Sequence, residues 1–91
     1  MVVTVVYLIV VYDMRADRTR LMLNFLRKYL THVQNSVFEG EVTEGDLETI
    51  RNHTESLLNP EESVIIYRVG SAQYVDRTVI GDDPTDDARF L

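Results

Sequence analysis

The chain has 91 residues, a formal net charge of −6, 45% apolar and 26% charged residues, and no Cys. A chain this short holds one domain, buries roughly 60–65% of its unfolded surface and therefore has a thin core; the apolar fraction excludes disorder. The missing thiol excludes disulfides, thiol catalysis and Cys-ligated zinc, and the acid excess argues on its face against a nucleic-acid partner.

Met1 to Tyr12 is apolar apart from Thr4. It is short of the roughly 20 residues that span a bilayer. It also lacks the basic start and small-residue cleavage site of a signal peptide. The expected location is cytoplasmic, with no membrane contact. Val2 to Tyr12 is Val-, Ile- and Tyr-rich, which predicts a strand. It does not alternate with polar residues, so both of its faces must be covered.

Asp17 to Leu30 predicts a helix. Met22, Phe25, Leu26, Tyr29 and Leu30 form one stripe, with Arg20, Asn24, Arg27 and Lys28 opposite. Asp17 is the expected N-cap. His32 to Val42 returns to extended character, with Gly40 as a bend or bulge. The pattern does not separate one bent strand from a hairpin. Thr43 to Asn59 predicts a second helix, capped by Thr43 with Asp46 at its third position. Leu47, Ile50, Leu57 and Leu58 form its buried stripe, and Asn59-Pro60 ends it. Ser63 to Val69 predicts a strand, and Gln73 to Ile80 a shorter last one. Residues 81–91 form an acidic tail with Asp82, Asp83, Asp86 and Asp87.

This order predicts an α+β, ferredoxin-like βαββαβ sandwich over residues 1–80, with an extra C-terminal strand. Two helices cover one sheet face only. A first strand apolar on both faces, and Val64-Ile65-Ile66 after it, predict a homodimer through stacked sheets.

No phosphate-binding Gly loop, metal-spaced His pair or Ser nucleophile elbow occurs. Asp13, at the end of the first apolar strand, is the leading chemical candidate, because functional groups collect where buried strands end. Charge is distributed unevenly. Residues 1–38 hold five bases and two acids, whereas residues 39–91 hold four bases and thirteen acids. Arg15, Arg18, Arg20, Arg27 and Lys28 are thus close together in sequence, and guanidinium forks match phosphate oxygens. Lys28 is the only Lys, and acid excess with Arg in place of Lys fits a salt-adapted surface.

Three segments then resemble the small CRISPR-associated proteins of the Cas-two type. They are Tyr7-Leu8-Ile9-Val10-Val11-Tyr12-Asp13 before an Arg-bearing helix, Val33-Gln34-Asn35-Ser36-Val37-Phe38-Glu39-Gly40-Glu41, and Ser63-Val64-Ile65-Ile66-Tyr67-Arg68-Val69. The resemblance implies a ferredoxin-like homodimer whose C-terminal strand joins the partner's sheet. It implies a role in spacer acquisition beside the CRISPR integrase, and cleavage of single-stranded RNA or of DNA with Mg²⁺. Asp13 matches the family's metal-binding, catalytic acid. Tyr12, Arg18, Arg20 and Phe38 match positions linked to nuclease activity. The basic residue expected before Val33 is His32 here, which carries little charge at neutral pH. The alternative is a non-catalytic dimeric scaffold that holds the DNA backbone and bridges integrase dimers. A small-ligand regulatory domain is a third class, with no pocket motif to support it.

Overall fold

The structure is a computed structural model and describes residues 3–83. Asp86 and Asp87 of the acidic tail lie outside the described residues. Strand β1 (Val5–Asp13) is followed by helix α1 (Thr19–Leu26), strands β2 (Thr31–Gln34) and β3 (Val37–Thr43), helix α2 (Glu44–Leu57) and strand β4 (Ser63–Val69). The sheet order is β2-β3-β1-β4, with every neighbouring pair antiparallel. This is the expected ferredoxin-like sandwich.

β1 is the central strand, and its side chains alternate between the faces. Val6, Leu8, Val10 and Tyr12 are buried in one cluster with Met22, Phe25, Leu26, Phe38, Val42, Leu47 and Ile50. Both helices therefore cover the same face. On the opposite face, Tyr7, Ile9 and Val11 are half-buried and Asp13 is exposed. Their β4 neighbours in register are Val69, Tyr67, Ile65 and Ser63. Ile65 and Tyr67 are about half exposed, at 50% and 54%. Val64 and Ile66 turn inward against the core. The structure thus leaves an apolar open face on the sheet, as the two-sided composition of β1 required.

The expected helix over 17–30 is shorter. Its N-cap is Arg18, with no side-chain cap. Asp17 instead pairs with Arg15 at 3.4 Å. The first turn is closed by backbone bonds from Arg18 and Thr19 N–H to the Arg15 carbonyl, at 2.8 and 3.1 Å. Residues 27–30 form turns, with the Lys28 N–H donating back to Phe25 O, because the chain must reverse to enter β2 at Thr31. Leu30 nevertheless closes the core.

His32 to Val42 is a hairpin. Asn35 takes a φ of 44° at the turn, a conformation that Asn tolerates better than most residues. The irregular register lies between His32 and Gln34, not at Gly40. Gly40 pairs regularly with Leu8. It has a φ of +155°, and a Cβ there would stand 3.4 Å from Leu30 Cδ2. The second helix starts as expected. The Thr43 hydroxyl accepts from Asp46 N–H at 3.0 Å, and Asp46 Oδ2 accepts from Thr43 N–H at 3.4 Å. Its buried side includes Thr54, whose hydroxyl donates to Ile50 O at 2.8 Å. Leu57 and Leu58 are only half-buried.

The expected strand over 73–80 is absent from the chain's own sheet. Ala72–Tyr74 is a 3-10 turn, and residues 75–80 make no strand pairing. Arg77 reaches Glu39 on β3 at 2.7 Å and Asp83 at 3.5 Å. The Gly40→Ala variant should lose about 1–3 kcal/mol, because an L-residue is strained at this φ. Urea unfolding measures the loss.

Candidate functional site

The Asp13 end of the sheet gathers three segments: the end of β1, the loop into α1, and the loop between α2 and β4. Asp13 is exposed opposite Ser63 on the open face. Tyr12 points to the other face, since neighbours on a strand alternate. It is 5% exposed. Its ring stacks on Phe38 with centroids 6.2 Å apart. Burial raises the phenol pKa, against a smaller lowering by a hydrogen bond with Ser36. Tyr12 and Asp13 are therefore adjacent in sequence but do not share a surface.

Phe38 is fully buried, at 0% exposure. Its ring presents no exposed face in this chain. His32 covers it, with ring centroids 4.7 Å apart. His32 Nε2 donates to Asn35 O at 2.7 Å, so this imidazole braces the hairpin turn.

The basic residues separate into different roles. The Arg15 side chain is exposed and forms a surface pair with Asp17, a contact of little energetic weight. Arg20, Arg27 and Lys28 are exposed and make no ion pair among the described residues. Arg20 and Tyr12, with Ala16, Asp17, Thr19 and Leu23, line a pocket of about 380 Å³ on the helix side. Arg18 is different. Its Nε donates to Glu62 at 3.0 Å, and its Nη2 donates to Leu57 O at 2.6 Å.

Glu62 is the residue that sequence reasoning missed. Its side chain is only 2% exposed. One carboxylate oxygen accepts from Asn59 N–H at 2.8 Å, and the other accepts from Arg15 N–H at 3.1 Å. Arg18 holds its pKa down to about 2; the Asn59 N–H adds to this, burial opposes it, and the Arg15 N–H contributes less. No sequence signal distinguished Glu62 from its exposed neighbour Glu61.

The described residues contain no cluster of three or more His, Asp or Glu side chains suited to a metal. Mg²⁺ takes six oxygen ligands, of which one or two carboxylates are typical. Asp13 alone does not make such a site within one chain.

The fold is a two-layer sandwich with an exposed carboxylate at the end of an inner strand. The family model "CRISPR associated protein Cas2" matches residues 6–77, and the chain belongs to that family. It is 44% identical over 80 residues to the protein named CRISPR-associated endoribonuclease Cas2 2 of Archaeoglobus fulgidus, covering 87% of each chain. It is 40% identical to the CRISPR-associated endoribonuclease Cas2 of Haloferax volcanii, covering 90% of this chain and 95% of that one. A crystal structure of a Cas2 protein superposes with a TM-score of 0.80 at 34% identity, covering 88% of this chain and 91% of that one. A Thermus thermophilus protein solved as a hypothetical protein gives 0.63 at 30% identity, with coverage of 86% and 95%. No helix among the described residues is long and apolar enough to cross a membrane.

The depressed Glu62 pKa has a defined consequence for stability. Because the folded value lies below the usual 4.5, the contribution is complete above that pH and is lost as pH falls toward about 2. Thermal unfolding across this window should show a loss of stability in the wild type that is smaller in Glu62→Gln.

Proposed function

We propose that the chain acts in CRISPR adaptation as a homodimer that cleaves nucleic-acid phosphodiesters at the Asp13 end of its sheet. The supporting observation is the position of Asp13. It is exposed at the rim of an apolar, unpaired sheet face. Stacking two such faces buries Ile9, Val11, Ile65 and Tyr67 and puts two Asp13 carboxylates on one interface. Two carboxylates and a substrate phosphate would supply oxygen ligands for Mg²⁺ that one chain lacks.

Within the chain, Asp13 is the group placed to orient or deprotonate an attacking oxygen. Arg20 lines the helix-side pocket with Tyr12, on the face away from Asp13, and would hold the nucleic-acid backbone there. RNA is the first substrate to test, given the names of the relatives. DNA backbone binding and work beside the integrase belong to the same proposal. The stretch over residues 73–80, unpaired in its own sheet, would add to the partner's sheet.

The non-catalytic scaffold is favoured by one observation: no group of three or more His, Asp or Glu side chains suited to a metal occurs among the described residues. Cleavage of single-stranded RNA and of double-stranded DNA, with Mg²⁺ or with EDTA, separates the two readings. Asp13→Asn should lose cleavage by about a hundredfold or more while its mass in solution is unchanged. Equal cleavage by that variant contradicts the catalytic proposal. Absence of cleavage in the wild type, with retained DNA binding and capture of the integrase, supports the scaffold.

A further inference from the structure

Three segments meet at Glu62, and two of them bracket Asp13. Arg15 N–H, two residues beyond Asp13, donates to one carboxylate oxygen. Ser63, the next residue after Glu62, is the register partner of Asp13. Asn59 N–H donates to the other oxygen and fixes the loop that leads into β4. Arg18 Nε lies within hydrogen-bond distance of both oxygens, at 3.0 and 3.2 Å, and its Nη2 reaches the last residue of α2. A buried carboxylate persists only with such partners, and here each partner lies on a loop beside the strand end.

We propose that Glu62 is a positioning residue for Asp13, and that Arg18 is the strut of this clamp and not a phosphate ligand. The inference rests on the reading of the Asp13 end as the functional site. It gives Arg18 a reason to matter without touching substrate. The guanidinium has its Nε on Glu62 and one terminal nitrogen on Leu57 O. Pulling it onto a phosphate would leave a buried carboxylate without its cation. Backbone contacts to nucleic acid then fall to the exposed cations, Arg20 first.

Three measurements on the full chain test this. The first needs no nucleic acid. In Glu62→Gln one of the two accepting oxygens becomes an NH₂ group. Amide exchange at Arg15 or Asn59 should then quicken about tenfold or more, while exchange at Ile50 holds. Unchanged exchange at both amides overturns the clamp. The second is the salt dependence of binding to double-stranded DNA. Arg20→Ala should lower the slope of log affinity against log salt by about 0.9, and Arg18→Ala should leave it unchanged. An equal fall in Arg18→Ala overturns the strut assignment.

The third is cleavage. Glu62→Gln should lower kcat by about ten- to a hundredfold with KM unchanged, the pattern of a displaced reacting group. Wild-type kcat in Glu62→Gln, alongside an inactive Asp13→Asn, overturns the positioning role. An active Asp13→Asn brings down the proposed function instead, and the exchange result still decides the clamp. Should Glu62→Gln fail to fold, Arg18→Lys serves in its place. It retains the charge but loses the fork geometry, and the same exchange and kcat effects are expected.

Discussion

Strand β1 carries apolar side chains on both faces, yet the described residues form only two α-helices to cover them. Both helices lie on the side of Val6, Leu8, Val10 and Tyr12, where they complete the core. The other side, with Tyr7, Ile9 and Val11 beside Val69, Tyr67 and Ile65, is left without a second layer of helices. Asp13 is the last residue of that open row. The apolar face and the candidate site are therefore one continuous surface. Whatever covers the face also sets the surroundings of the carboxylate.

The strand end is held from the other side by a buried charge. Glu62 accepts from two backbone amides and one guanidinium, which offsets the cost of taking a carboxylate out of water. The contact ties the β1–α1 loop to the loop that leads into β4. The clamp also divides the arginines of the first 38 residues. Arg18 is half-buried and tied to Glu62 and Leu57, whereas Arg20 and Arg27 remain on the surface with Lys28. An overall charge of −6 is therefore compatible with a local cationic face, since charges act within about 8–10 Å at ordinary salt.

Much of the fold was legible because it follows from short-range patterns. Thr43 and Asp46 announced the start of α2 at hydrogen-bond spacing, and the apolar stripe of α1 identified Met22, Phe25 and Leu26. Asp17 misled because a good capping residue caps only if the backbone enters the helix there. The Arg15 carbonyl closed the first turn one residue later. The hairpin at Asn35 was hidden by continuous extended character on both sides of a two-residue turn. The site was less legible, because its contacts are long-range. Asp13 was found from its place at a strand end, but nothing local says that Tyr12 turns away from it or that Phe38 is sealed in the core. Glu62 was invisible within an acidic stretch. Its partners Arg15 and Arg18 lie more than 40 residues away in sequence, and only the folded chain brings them together.

The central claim is that the open face of the sheet is completed by a second copy of the chain and that this completes the site. Sedimentation of the wild type beside Ile65→Glu, with cleavage or DNA binding followed on the same samples, tests it most directly. The account predicts that the wild type sediments at twice its 10.5 kDa. Ile65→Glu, with a charge in the middle of the apolar face, should sediment as a folded monomer that has lost function while Asp13 is intact. A monomeric Ile65→Glu protein with full activity would contradict it.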